Sequence, residues 1–289
     1  MATSKTTSEI DRANFDAPQS GTILQEIGSQ SVFRLAAFAG TEEFGHGSSF
    51  VLNHEDSKTN TRVWCLTNRH VVCSILKLFH MYRQAIQNGA PGEFVKDLPA
   101  GLRVHFGEHT IAIDSLLVPK GEFFKTQQAT HLDFAIFSFV LPNHQSLKYF
   151  PIAEQKDIVA GIKLFALGYP TVTNLSITDG ILSRVYQEGD GDAERKAGAK
   201  IGYFQWGVQH SVLINHGNSG GPTIDEFGRV VGISTYGDPG RFDAVGLSFS
   251  LNARSILDHI SDPSNLEEIS VPLLTNKLAL RAIESMQYG

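Results

Sequence analysis

Apolar and β-branched residues in this chain come mostly in short bursts, separated by Gly, Asn and Asp. That is the pattern of many short strands. The first 21 residues are polar, with Pro18 and Gly21 near their end, and read as an N-terminal arm. From 22 to 72 the chain reads as strands, with bursts such as Ser49-Phe50-Val51-Leu52 and Arg62-Val63-Trp64-Cys65-Leu66-Thr67. Similar runs recur at 102–106, 110–118, 132–141, 162–168, 174–187, 201–214, 222–236 and 244–251. The period changes between 73 and 88, where Leu76, Phe79, His80, Arg83 and Ile86 follow three- and four-residue steps and Gly89 and Pro91 come next. This is one helix with a stop signal, inserted among strands. Residues 252–260 and 275–286 read as helices separated by Asp262-Pro263, and Gly189-Asp190-Gly191-Asp192 opens a polar loop to about 198. The order predicts an all-β fold, a sandwich or a pair of barrels, with an inserted helix and C-terminal helices.

Composition narrows the function. A chain of 289 residues makes one large domain or two small ones, at roughly 100–200 residues each. With 42% hydrophobic and 19% charged residues it is no disordered polymer. Two cysteines cannot build a disulfide framework. The net charge of −6 argues against a nucleic-acid surface. The apolar run Val32–Ala39 is short and carries Arg34, far from the ~20 apolar residues of a membrane span. The opening residues lack the apolar core of a signal peptide, so the expected setting is cytoplasmic, with no membrane partner. His105 and His109 show no metal-ligand pattern, and the loop from Asp190 lacks the glycine a calcium loop needs. No metal or cofactor is expected.

Three segments carry candidate chemistry. In Leu66-Thr67-Asn68-Arg69-His70-Val71-Val72 a histidine ends an apolar strand. In His131-Leu132-Asp133-Phe134-Ala135-Ile136-Phe137 a carboxylate enters an apolar run, where burial is costly without a partner. In Gly217-Asn218-Ser219-Gly220-Gly221-Pro222 a serine sits inside a glycine-rich turn. Such a turn exposes a nucleophile and aims consecutive backbone N–H groups at one point. A serine hydroxyl needs a base, for which His70 is the candidate, and the base needs an orienting carboxylate, for which Asp133 is the candidate. Asp114, in the alternating run Ile111-Ala112-Ile113-Asp114, is the rival carboxylate and reads as solvent-facing. His216 either lines the leaving-group side or covers the turn, and Cys65 reads as a core strand residue.

Taken together and in this order, these motifs resemble the trypsin-like serine peptidases, closest to the HtrA (Deg) type. Gly45-His46-Gly47-Ser48-Ser49-Phe50, Thr178-Asp179-Gly180-Ile181-Leu182-Ser183, Gly228–Ile233 and Gly246–Leu251 extend the likeness over about 25–260. The resemblance implies two antiparallel β-barrels, about 22–145 and 158–252, with the active site between them. It implies a triad of His70, Asp133 and Ser219, and an oxyanion hole from the N–H groups of Gly217 and Ser219. Thr235, Tyr236 and Gly237 would lie along the substrate backbone, Gly246 would stand on the pocket wall, and Leu213 at the pocket base. An uncharged pocket base favours an apolar residue before the cleaved bond.

The chain also departs from its relatives. Asn218 replaces the aspartate that digestive-type members pair with a new N-terminus, so control by loop ordering or a partner is expected instead of trimming. The segment from 261 to 289, read as a helical tail, is too short for the PDZ domain usual in HtrA proteins. That tail either packs on the barrel or docks a regulatory protein, and the inserted helix is either inert surface or a gate. Two functions remain open: a serine endopeptidase acting on protein or peptide substrates, and a catalytically silent binding or scaffold protein on the same fold.

Overall fold

The computed structural model describes residues 18–39, 42–89, 102–106, 109–121, 132–142, 147–170, 174–186, 207–238 and 247–269. The chain opens on helix α1 (Gly21–Ser31), which runs into β1 (Val32–Ala39). There follow β2 (Glu42–Asp56), β3 (Asn60–Thr67), helix α2 (Arg69–Gln87), β4 (Leu102–Phe106), β5 (His109–Ala112), β6 (Ser115–Pro119) and β7 (Ala135–Pro142). The second half holds β8 (Lys163–Gly168), β9 (Ser176–Val185), β10 (Gly207–His210), β11 (Pro222–Asp225), β12 (Val230–Asp238) and β13 (Leu247–Asn252). Helix α3 (Ala253–Ile260) and strand β14 (Leu266–Glu268) complete the described chain.

These strands form two antiparallel units. One is an eight-stranded sheet ordered β14-β6-β7-β3-β2-β1-β4-β5, and the other is a closed barrel ordered β10-β13-β12-β11-β8-β9. The all-β reading and the two-unit plan hold. The second barrel is closed, whereas the first is, among the described residues, a sheet with two edges.

Three expectations change. Residues 21–31 are helical, not strand: Leu24, Ile27, Gly28 and Ser31 are buried on one face, and the Ser20 side chain accepts the Ile23 N–H. The inserted helix starts at Arg69 rather than at 73, which puts His70 in its first turn. The stretch after 260 does not begin as a helical tail; Leu266–Glu268 returns to the first sheet and pairs with β6, Leu266 opposite Pro119. The polar arm through 17, the loop 187–200, the segment 90–101 and the helix at 275–286 lie outside the described residues.

Packing joins the units. One apolar cluster fills the first sheet against α2, including Phe33, Val63, Val72, Ile75 and Phe139. A smaller one, with Ala166, Leu182, Val208 and Val231, fills the barrel. The third draws on both: Leu24 of α1, Phe50, Leu66 and Phe134 from the first unit meet Leu167, Ile224, Ile233 and Leu251 of the barrel and Ile256 of α3. Each such fully buried side chain contributes about 1.5–3 kcal/mol relative to exposure. This shared core fixes the relative position of the two faces that line the cleft.

Candidate active site

The site is built where α2 begins. The first turn of any helix leaves backbone N–H groups without partners. Here the carboxylate of Asp133, in the turn entering β7, supplies one: Oδ1 accepts the His70 N–H at 2.8 Å. Its other oxygen lies 2.5 Å from His70 Nδ1. Asp133 is fully buried, and the buried Arg69 guanidinium lies 4.0 Å from Oδ1. A buried carboxylate is therefore held by a helix N-terminus, an imidazole and a cation, which answers the desolvation cost its sequence position posed. Asn68 ties this corner to the barrel, its Nδ2 donating to the Asp133 carbonyl at 3.0 Å and to Thr235 Oγ1 at 3.1 Å.

The barrel contributes the glycine-rich turn. Gly217 and Gly220 hold positive φ, +94° and +89°. Gly217 has no room for a side chain, since a Cβ would run into the Tyr169 carbonyl. Three N–H groups of the turn are satisfied: Asn218 donates to Asn215 O at 3.0 Å, Gly220 to Ser234 O at 2.9 Å and Gly221 to Asn218 O at 2.9 Å. Among the described residues the N–H groups of Gly217 and Ser219 donate to no protein acceptor. The Ser219 hydroxyl donates to the Thr235 carbonyl at 3.4 Å rather than to His70. Thr235 sits at an irregularity of β12, where the register against β13 shifts between Ser234 and Tyr236. Such a bulge re-aims a carbonyl out of the ladder.

The remaining candidates are placed as follows. Tyr236 pairs with Phe249 and Gly237 with Ser248, so the backbone beyond Thr235 runs on as strand. Gly246 lies outside the described residues. Leu213 is 56% exposed, and its carbonyl accepts from Thr178 Oγ1 at 2.8 Å. The rival Asp114 is paired elsewhere, with Arg62 at 2.8 Å and with the Ser138 hydroxyl. His216 is exposed on the turn, and neither Cys65 nor Cys73 is in a disulfide. Burial pushes the Cys65 thiol up, and that of Cys73 up to about 12. His105 hydrogen-bonds Arg34 at 2.6 Å, and burial together with that cation pushes it down to about 4.

Two neighbours of the turn have roles that their sequence motif does not disclose. Ser48 bonds both sides of it, and the His46 ring faces Gly217 with Nε2 buried and unpaired. A polar residue between glycines in Gly45-His46-Gly47-Ser48 is a weak signal, because only the pairing across 169 positions gives it meaning.

Two antiparallel β units with a carboxylate–imidazole pair on one and a serine-bearing glycine turn on the other define the trypsin-like architecture. The family model for the trypsin-like peptidase domain matches residues 47–233, and the chain belongs to that family. Over 149 residues it is 28% identical to Protease Do-like 1, chloroplastic, of Arabidopsis thaliana, an alignment covering 51% of this chain and 32% of that protein. Over 133 residues it is 30% identical to Serine protease HTRA4 of Mus musculus, covering 46% of this chain and 25% of the relative. The chain thus spans a third or less of the length of these curated relatives. An HtrA-type protease solved with a tripeptide shares the fold, with a TM-score of 0.54 and 17% identity over 84% of this chain and 63% of its own. Among the described residues no helix is long and apolar enough to cross a membrane.

Proposed function

We propose that this chain is a serine endopeptidase, with Ser219 as nucleophile, His70 as general base, Asp133 as its orienting carboxylate and Gly217 and Ser219 as the oxyanion hole. One observation carries the reading: in the turn from Gly217 to Gly221 the N–H groups of Asn218, Gly220 and Gly221 are bonded, while among the described residues those of Gly217 and Ser219 have no protein acceptor beside the serine hydroxyl. Donors held free in advance stabilise the charge that develops on a carbonyl under attack.

In this scheme Ser219 Oγ attacks the scissile carbonyl while His70 Nε2 takes its proton. Asp133 keeps the Nδ1 proton in place and stabilises the imidazolium. The proton passes to the departing amine, and water, deprotonated by the same ring, resolves the acyl-enzyme. The hydroxyl must first leave the Thr235 carbonyl for Nε2, a side-chain rotation. Such bonds tighten when substrate is bound, and control by loop ordering or a partner is supported by Asn218, which cannot form an ion pair with a new N-terminus. The uncharged Leu213 supports an apolar residue before the cleaved bond, and a peptide-library profile dominated by Arg or Lys would refute that preference. Two cysteines held outside any disulfide support a reducing, cytoplasmic setting.

A fluorophosphonate probe tests the central reading. The protein is expected to be labelled, Ser219→Ala to be inert, and His70→Ala to react at least ~10⁴-fold more slowly. No labelling of the unaltered protein sinks the enzyme and leaves the silent scaffold.

A further inference from the structure

We propose that Ser48, a buried residue of β2, is the positioning residue that sets the oxyanion turn from the opposite unit. The inference rests on the peptidase reading above and adds a residue to it. Ser48 makes two bonds to the turn. Its hydroxyl donates to the Gly217 carbonyl at 2.6 Å. Its backbone N–H donates to the Ser219 carbonyl at 2.9 Å. Ser48 thereby holds the peptide planes that follow Gly217 and Ser219. Between them lies the plane that carries the Ser219 N–H.

The hydroxyl has no freedom to point elsewhere. The Tyr169 N–H donates to Ser48 Oγ at 2.9 Å, filling the acceptor side and directing the proton to Gly217. The Ser48 carbonyl is itself held by the Thr67 hydroxyl at 2.7 Å. Ser48 is completely buried, so no water replaces these bonds. Gly217 is the residue that needs such a tie. At φ +94° with no side chain, its flanking peptides can turn over at little steric cost. A turned peptide would aim a carbonyl, not an N–H, at the oxyanion. Ser48 thus acts on the transition state through the turn and touches no substrate itself.

The test compares Ser48→Ala with Ser48→Thr and Ser49→Ala. Ser49 is also buried on β2, but its hydroxyl bonds the Phe33 carbonyl at 3.2 Å, away from the turn. It controls for the loss of a buried hydroxyl. On a peptide substrate, with active sites counted by the fluorophosphonate, Ser48→Ala should lose about tenfold to a hundredfold in kcat per titrated site. KM should change little, a peptide boronate should weaken in parallel with kcat/KM, Ser48→Thr should recover most of the rate, and Ser49→Ala should match the unaltered protein. Amide hydrogen exchange at Asn218 and Gly220, whose N–H groups carry the turn's hydrogen bonds, should accelerate in Ser48→Ala alone. An unchanged kcat per site, or a loss equal to that of Ser49→Ala, overturns the role. If the unaltered protein never reacts with the probe, the peptidase reading has failed. The amide exchange then still decides whether Ser48 holds the turn, and unchanged exchange in Ser48→Ala overturns the tie.

Discussion

At the residue scale, the site depends on how single atoms are satisfied. Asp133 serves two donors, the His70 N–H and Nδ1, with one oxygen each. Asp133→Asn keeps an oxygen for the backbone donor but turns an NH2 toward Nδ1. The ring must then carry its proton on Nε2, where it cannot accept one from Ser219. The probe reaction should slow by ~10⁴-fold with the fold intact, and a loss below tenfold would exclude this role. Gly217→Ala meets a different barrier, since it combines positive φ with a clash at the Tyr169 carbonyl. It should cost at least ~1 kcal/mol in urea unfolding and abolish labelling, and a stable, reactive variant would contradict the geometry. His70, Asp133 and Ser219 were legible in the sequence because each stands out chemically from its apolar or glycine-rich surroundings. Ser48 was not, because a serine on a strand is ordinary until its partner across the cleft is known.

At the scale of elements, some strand bursts of the sequence match closely: 102–106 is β4 to the residue, and 162–168 is β8 with one residue more, whereas 110–118 and 222–236 each hold two strands and 201–214 holds only β10 among the described residues. The misses are physical. Helix α1 passes into β1 without a break, so the 3.6 period of Leu24, Ile27 and Ser31 merges with strand-like residues that follow. Strand β14 is three residues long and exists only because the edge of β6 accepts it, a tertiary pairing that no local pattern announces. The helical period of α2 shows in the sequence only from 73, whereas the helix starts at Arg69, where its first turn meets the Asp133 carboxylate. Helix α3 offers a test of capping. The Asn252 side chain accepts the N–H groups of Arg254 at 2.9 Å and Ser255 at 3.4 Å, and its amide donates to Gln155. Asn252→Ala should lower stability by about 1 kcal/mol by denaturant titration. Because Ala253 and Ile256 of α3 are buried, with Ile256 in the shared core, the loss should appear in one global transition, and a separate early transition would deny the coupling.

At the scale of the whole molecule, the shared core couples the two units, so a buried histidine of the barrel bears on the acid tolerance of the whole fold. His210 is completely buried in the barrel and bonds Ser250 at 2.9 Å; Thr223 links Ser250 at 2.7 Å to Ser234 at 3.0 Å. These are four polar side chains, brought in by four strands of the barrel. Burial pushes the His210 ring down to about 4, opposed in part by a backbone hydrogen bond at Val212. The sign follows from proton counting. Above the ordinary histidine range both states are neutral at this site, and stability is independent of pH. Between about 6.5 and about 4 the unfolded chain binds the proton and the folded one does not, so stability falls as pH falls. Below about 4 both are charged and the loss is complete, at roughly 3 kcal/mol for this one group. His105 in the first sheet is displaced in the same direction by burial and Arg34, so both units lose stability together. Carboxylates titrate over part of the same window, so the measurement is a difference: urea unfolding at pH 7.5, 6, 5 and 4 for the protein and for His210→Gln. The glutamine is neutral throughout, and the two stability curves should converge as pH falls. Parallel curves would mean that the barrel takes up the proton at no cost, and would remove His210 as the origin of acid sensitivity.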